Sequence, residues 1–139
     1  MQSTAKILEE TAHILTTHGL HRGEQFAATD CDAVDICAAV YMAAEGTCPP
    51  EFAEDEGASR DLIESSERSM AAIRAISAAI TNYEVPDSDG HPDLIEHVSQ
   101  WTFTPPIGEK TPPTTSEVIG CILRAANTLA TQTTTDHAA

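Results

Sequence analysis

The sequence predicts an all-α fold: a single irregular bundle of about five helices, with a proline-rich extended segment before the last helix. Apolar residues recur at helical spacing in five segments, and no segment shows the sustained two-residue alternation of a surface strand. Gly and Pro fall mostly in long connections, which favour an irregular bundle over a regular up-and-down one. The 139 residues suit one domain, which can bury about 70% of the surface that its unfolded chain exposes.

The central helix is expected over 32–45, because 36–44 is the longest unbroken apolar run in the chain. Two apolar stripes at helical spacing run along this stretch, which predicts neighbouring helices on two sides. Asp32 and Asp35 are expected in its first turn, where negative charge interacts favourably with the helix dipole. The other helices are expected to pack around this one.

The remaining helices are indicated by their caps and by apolar spacing. The first is expected over 3–18, and the longest over 59–81, about 33 Å long if straight. A short helix is expected over 91–100. The last helix should begin at Thr114, because Thr114 and Glu117 fit a capping box, in which each side chain accepts from the backbone N–H of the other residue.

The segment 104–113 contains four prolines, which exclude a helix or a central strand. We interpret it as an extended clasp across the helices, anchored by Trp101 and Phe103, with a partner-docking loop as the alternative. The helical domain is expected to span 1–130, and 131–139 to form a flexible C-terminal tail.

The net charge is −15, with seven Lys or Arg against 22 Asp or Glu. This charge disfavours direct binding to nucleic acid and to anionic membranes. Eleven of the acids lie between Asp30 and Glu67, where Arg60 is the single cation. Such a run solvates a surface or binds a basic protein partner. The acidic residues predicted to bind that partner are Asp30, Asp32, Asp35, Glu51, Glu54, Asp55 and Glu56.

The four cysteines show no C-x-x-C spacing, so the usual zinc patterns are absent. His18 and His21 with Glu24 come nearest to a ligand set, but histidines at a helix end more often serve that end. We therefore expect no metal and no other cofactor. The chain also shows no signal-peptide pattern and no membrane-length apolar run, which predicts a cytoplasmic protein with reduced thiols.

Cys37 is the one candidate nucleophile that the sequence offers. The nearby Asp32 and Asp35 should raise the pKa of its thiol, which is the opposite of activation. We therefore interpret Cys37 as a core residue. Nucleophile-elbow, metalloprotease, P-loop and dinucleotide-binding motifs are all absent from the sequence. The sequence thus predicts no catalytic residues.

Short motifs follow one another in an order that resembles a known family. They are Gly-Leu-His-Arg-Gly, Ala-Val-x-x-Cys-Ala, a late Trp, Thr-x-x-Glu-Val and Ala-Ala (19–23; Ala33, Val34, Cys37, Ala38; Trp101; Thr114, Glu117, Val118; Ala125, Ala126). Most of the chain is similar to a small uncharacterised helical domain family of Streptomyces-type actinobacteria and their phages. The family pattern has Gly-Trp, Cys-Ala-x-Gly-Ala and Trp-Asn-Asp where this sequence has Leu20, Val40 and Thr102-Phe103. The resemblance implies a fold and a host, and no assigned reaction.

These observations lead to one predicted function and two alternatives. The first is a non-catalytic module that acts through protein contacts, in regulation or in phage–host interplay, and the sequence leaves a homodimer open. The second is a DNA-mimic inhibitor of a nucleic-acid-binding protein, which requires the acids to share one face. The third is a small-ligand binder or enzyme, with a pocket lined by His21, Cys37, Tyr41, Trp101 and Phe103.

Overall fold

The computed structural model describes residues 2–22, 25–80, 90, 93–103, 105 and 110–138, and describes side chains as far as Thr131. This part of the chain is helical and contains no strand, which confirms the all-α prediction. It forms seven α-helices and one 3-10 turn, more elements than the five predicted. They are α1 (Thr4–His18), the 3-10 turn (Thr29–Cys31), α2 (Ile36–Glu45), α3 (Glu51–Glu54), α4 (Glu56–Glu64), α5 (Glu67–Ala79), α6 (Leu94–Trp101) and α7 (Thr115–Ala138).

Helix α2 is the central element, as the sequence predicts. It contacts α1, α4, α5 and α6, and seven of its ten residues are buried. Its beginning was predicted wrongly, because the helix begins at Ile36 and Asp32 lies outside it. Asp35 is the extended N-cap residue, and its side chain accepts from the N–H of Cys37. Gly46 ends the helix with a φ of 78°, a left-handed conformation that glycine adopts without strain.

Replacing Ala39 with Leu is expected to destabilise the protein by about 2 kcal/mol, because Ala39 is fully buried and extra methylenes overpack a filled core. Thermal or urea unfolding measures the change. Ala78→Leu on the exposed side of α5 is the matched control and should be nearly neutral. Equal effects of the two substitutions would contradict the close packing around α2.

The single helix predicted over 59–81 is in fact two helices. Helix α4 ends at Glu64 and α5 begins at Glu67, because Ser66 is extended and its side chain accepts from the N–H of Ser69. Ser66 Oγ also donates to Glu45 Oε1 over 3.0 Å, which holds the break against the end of α2. Both helices turn apolar residues to the core, so the apolar spacing runs through the break and conceals it.

The chain between α2 and Ser59 contains the short helix α3 and the beginning of α4, neither of which the sequence predicts. Phe52 of α3 is fully buried and packs edge-on against Tyr41, with the ring centroids 5.3 Å apart. Asp55 caps α4 by accepting from the N–H of Ala58 over 3.0 Å. A cap this soon after two prolines leaves room for only one turn of α3, which is too short for a periodic signal.

Helix α6 begins at Leu94, with Asp93 as its N-cap, and packs on α2 and α5. Trp101 is buried at its end, whereas Phe103 is 45% exposed, so the prediction that both anchor the chain is wrong for Phe103. Half of the predicted clasp at 104–113, residues 104 and 106–109, lies outside the described residues.

The capping box at the start of α7 is confirmed. Thr114 N–H donates to Glu117 Oε1 over 3.0 Å, and Glu117 N–H donates to Thr114 Oγ1 over 3.1 Å. The backbone is helical to Ala138, where the sequence predicts a tail from residue 131. The flexibility of this tail stays a prediction.

Replacing Thr114 with Ala is expected to destabilise the protein by about 1 kcal/mol, since the hydroxyl satisfies an N–H group that the helix itself leaves unpaired. Thr128→Ala, at an exposed position later in α7, serves as the control. Chemical denaturation should show a lower midpoint for the first variant alone. Identical midpoints would mean that the cap contributes nothing.

The fold brings Cys31 of the 3-10 turn beside Cys48, and the two form a disulfide with a Cα–Cα distance of 6.7 Å. The prediction of reduced thiols is therefore wrong for this pair. A separation of 17 residues has no diagnostic value by itself, and only the docking of the turn onto the segment after α2 makes the pair close. Cys37 and Cys121 are free and buried.

Candidate functional site

Residues 19–35, which we call the connecting segment, link α1 to α2. Their described part contains the 3-10 turn and two isolated β-bridges but no α-helix, although a helix was expected from residue 32. Val34 joins two other parts of this segment, because it forms one isolated β-bridge with Leu20 and another with Ala27. Its N–H donates to Gly19 O over 3.0 Å, and Asp35 N–H donates to Phe26 O over 2.7 Å. These bonds place the wall formed by residues 25 and 26 beside the N-terminus of α2. Gly23 and Glu24 lie outside the described residues.

A cavity of about 340 Å³ lies where the connecting segment meets the beginnings of α2 and α4 and one side of α6. Its volume is at the lower end of the range for small-ligand pockets. We call this cavity the acidic pocket, because three of its seven lining residues are carboxylic acids. The lining residues are Gln25, Phe26, Asp35, Glu56, Glu96, Ser99 and Phe103.

Asp35 is the buried acid of this pocket, with only 5% of its surface exposed. Its Oδ1 accepts from Cys37 N–H over 2.7 Å and from Ser99 Oγ over 3.4 Å. Burial raises the pKa of Asp35 to about 6, and the hydrogen bonds from Cys37 and Ser99 offset only part of that effect. A carboxylate at this position lacks much of the solvation that it has in water, so a cation brought beside it would be strongly favoured.

The remaining polar groups of the pocket are mostly acceptors. Gln25 Oε1 is buried and accepts no hydrogen bond within the described part of the chain. Glu56 is exposed at the mouth. Glu96 lies 3.5 Å from Arg60, whose Nη2 already donates to both carboxylate oxygens of Asp93 at 2.8 and 2.7 Å. Gln100 Nε2 also donates to Glu96 Oε1 over 2.7 Å, so both oxygens of Glu96 have partners. Among the described side chains, Gln25 Oε1 and the exposed Glu56 remain without a donor.

Cys37 is fully buried behind Asp35, with its sulfur 3.7 Å from both Ser99 Oγ and Ile95 O. Burial raises the pKa of this thiol, and the charge of Asp35 raises it further. The thiol is therefore neutral near pH 7 and inaccessible to a substrate. This confirms the interpretation of Cys37 as a core residue.

The five residues predicted for a pocket have different positions among the described residues. Phe103 alone of the five lines the acidic pocket. His21 donates its backbone N–H to Val34 O, Tyr41 packs on Phe52, and Trp101 is buried.

The acids predicted to bind a partner are mostly exposed, and two of them line one depression. A second depression, of about 300 Å³ beside the disulfide, is lined by both Asp30 and Glu54. Asp32, Asp55 and Glu56 are also exposed, and Glu51 is partly exposed. Asp35 differs, because it is buried and cannot form part of an open surface. Its position as N-cap of α2 is the physical reason for that burial.

Sequence reasoning missed Gln25, Glu96 and Ser99 of the pocket. The Asp93 cap sets the register of α6, and Glu96 and Ser99 are three apart on one face, so a signal for their proximity exists. Nothing local indicates that this face meets the beginning of α2. Arg22 was also missed: it donates to the carbonyls of Thr102 and Pro113, the latter over 2.8 Å, and so ties the connecting segment to the chain on both sides of the proline-rich segment.

The described residues contain neither a metal-binding group nor a membrane-spanning helix. No group of His, Cys, Asp or Glu in them is arranged to hold a metal ion, although three carboxylic acids line one pocket. None of their helices combines the length and the hydropathy needed to cross a membrane.

Together, the fold and the site define a class: a small all-α domain with an acceptor-lined pocket at the N-terminus of its central helix. The chain belongs to DUF6197, a family of unknown function, whose model matches residues 1–128. Among curated proteins and among solved structures, no match to the chain was found. The family match agrees with the resemblance to an uncharacterised helical family, and the actinobacterial or phage origin stays a prediction.

Proposed function

We propose that this protein is a non-catalytic interaction module that binds a basic segment of a partner protein. The binding surface is the acidic face, which we define as the 3-10 turn with the adjoining Asp32, α3, and the first turn of α4 with its N-cap Asp55. The exposed acids of this face are Asp30, Asp32, Glu54, Asp55 and Glu56.

One observation carries the proposal: the charges of the acidic face are uncompensated. None of its five exposed acids has a salt-bridge partner among the described side chains, whereas Glu45 pairs with Arg68 and Glu96 with Arg60. The sequence contains no Lys or Arg from residue 23 to residue 59. The 3-10 turn contacts α3, and α3 contacts α4, so these charges are neighbours in space. Their mutual repulsion is relieved when a cationic segment binds, and attraction of this kind also speeds association.

A direct test uses a fluorescent oligo-arginine peptide, with oligo-glutamate as the negative control. The variant Asp30→Asn/Glu54→Gln removes two charges from the acidic face, and Glu9→Gln/Glu10→Gln removes two from α1. We expect the first variant to bind several-fold more weakly than the second, in fluorescence anisotropy at low salt. If both variants weaken binding equally, the overall charge attracts the peptide and the proposed face is wrong.

The DNA-mimic alternative is less favoured by the geometry. It needs the acids between Asp30 and Glu67 to form one row, but Asp35 is buried and Glu45 is paired with Arg68. Arg60 lies within the same run and neutralises acids of α4 and α6. An enzyme that uses Cys37 is disfavoured by the burial and the raised pKa of its thiol.

A further inference from the structure

We infer that the acidic pocket is an anchor site for a guanidinium group, supplied by an arginine side chain of the basic partner. The inference rests on the proposed function for the source of the arginine, and on the pocket itself for the chemistry. The pocket adjoins the acidic face through Glu56, which lies at the start of α4 and lines the cavity.

The wall of the acidic pocket consists largely of hydrogen-bond acceptors. Asp35 and Glu56 line the pocket with carboxylates that form no salt bridge among the described side chains, whereas Glu96 is already contacted by Gln100 and Arg60. The buried Gln25 Oε1 is an acceptor with no donor within the described residues. Ser99 Oγ already donates to Asp35. A buried acceptor without a donor is costly, so the pocket is complementary to a group that donates several hydrogen bonds and accepts none.

The negative charge of the pocket wall favours a cationic ligand. Arg60 contacts Glu96 of the pocket wall, but its guanidinium is also held by Asp93 and Glu64, and it forms no salt bridge with Asp35. Asp35 is therefore a buried acid without a cation of its own. An anionic ligand is repelled here, and a neutral one leaves the carboxylates without a counter-charge.

The pocket favours an arginine side chain over a lysine side chain. A guanidinium is planar, carries five N–H donors and is more weakly hydrated than an ammonium, so it can bond two carboxylates at once and enter a half-enclosed cavity. It also stacks on aromatic rings. Phe26 lies in the pocket wall, and Phe103 is at its mouth with 45% of its surface exposed, where a guanidinium plane could cover it.

The test uses N-acetyl-arginine amide as the probe and N-acetyl-citrulline amide as a neutral control of the same shape, with ¹H–¹⁵N chemical-shift titration as the readout. We expect the arginine amide to shift resonances of Gln25, Asp35 and Ser99. The citrulline amide should bind at least tenfold more weakly, because its side chain is uncharged and its hydrogen bonds to carboxylates are therefore weaker. Equal affinity for the two amides would overturn the inference, as would shifts confined to the depression at Asp30 and Glu54.

Two pairs of variants locate the site. Glu56→Gln should weaken binding of the arginine amide about tenfold, whereas Glu54→Gln removes the same charge two residues away and should change it little. Phe103→Ala should weaken binding several-fold through the lost stacking, with Leu123→Ala as its control, because Leu123 is equally exposed on α7. If Glu56→Gln and Phe103→Ala leave the affinity unchanged, the pocket is not the anchor.

The two proposals can fail separately. Suppose that oligo-arginine binding depends on Asp30 and Glu54 but not on Glu56 or Phe103. The acidic face is then correct and the anchor site is wrong. Suppose instead that the free arginine amide binds in the pocket and an oligo-arginine peptide binds no more tightly. The guanidinium chemistry is then correct, and a small guanidino compound replaces the partner's arginine as the ligand.

Discussion

Replacing Asp35 with Asn is expected to raise the free energy of unfolding at pH 7.5 by about 3 kcal/mol. Burial raises the pKa of this carboxyl from 3.8 to about 6, so the native protein at neutral pH holds a charged group that it disfavours. A shift of this size corresponds to roughly 1.4 kcal/mol per pH unit, which gives the expected value. Asn preserves the cap, because its side-chain oxygen can still accept from the N–H of Cys37.

The same substitution should flatten the dependence of stability on pH. Between about pH 3.8 and pH 6 the native state keeps the proton of Asp35 while the unfolded state loses it. The native state then binds more protons, so the contribution of Asp35 to stability falls as the pH rises through this window. It is fully present below the window and fully lost above it. The groups around this carboxyl are Cys37 and Ser99, with Glu56 and Glu96 across the pocket.

Urea unfolding from pH 3.5 to pH 8 measures both effects, as the difference between wild type and variant at each pH. The overall negative charge also reduces stability at higher pH, and this difference largely removes that contribution. Asp32→Asn is the matched control, since it removes one charge from an exposed position three residues away. Should the two variants give the same pH profile, the raised pKa of Asp35 would not contribute to stability.

Removing the disulfide with Cys31→Ser/Cys48→Ser is expected to destabilise the protein by about 3 kcal/mol, because the bond closes a loop over a separation of 17 residues. The bond also holds an unfavourable turn. Asp30 and Cys31 have φ values of 60° and 57°, a left-handed conformation that costs non-glycine residues about 1–2 kcal/mol each. His18 Nδ1 lies 2.9 Å from Cys31 O and supports the turn from α1.

Thermal unfolding with and without dithiothreitol tests this prediction. Reductant should lower the midpoint of the wild type to that of the double variant and should leave the double variant unchanged. A wild type that is insensitive to reductant would contradict the stabilising bond. Reducing compartments such as the cytoplasm disfavour disulfides, so this bond does not support the predicted cytoplasmic location, which stays a prediction. Mass spectrometry of thiol-blocked protein from cells would show whether the pair is bonded there.

How far the sequence predicts the fold can be judged from individual elements. Local sequence signals were sufficient for the capping box of Thr114 and Glu117, because both partners lie within one helical turn. They failed at Ser66, because a break that preserves the apolar spacing leaves no periodic trace. The sequence placed Asp35 in the first turn of α2, whereas Asp35 is the N-cap residue. Acidic residues are favoured at both positions, so the local pattern does not distinguish them.

The candidate site was less predictable than the fold. Asp35 and Phe103 were both singled out from the sequence, Asp35 among the acids predicted to bind a partner and Phe103 among the residues of a possible pocket. The acidic pocket joins them because α6 packs its Glu96 and Ser99 face onto the start of α2. Gln25 lies in the pocket wall because hydrogen bonds within the connecting segment fix its neighbour Phe26. Asp35 N–H donates to Phe26 O, and Val34 N–H donates to Gly19 O. These contacts join residues far apart in sequence, and no local pattern contains them.

By itself, then, the sequence determined the all-α class, the central position of α2, the burial of Cys37 and the concentration of negative charge after residue 30. Each of these depends on composition or on spacing within one helix, where neighbours in sequence are also neighbours in space. Only the tertiary structure decided the pairing of Cys31 with Cys48 and the pocket beneath Phe103. Both depend on how separate helices dock, and docking is set by the shapes of whole packed faces and not by any single segment.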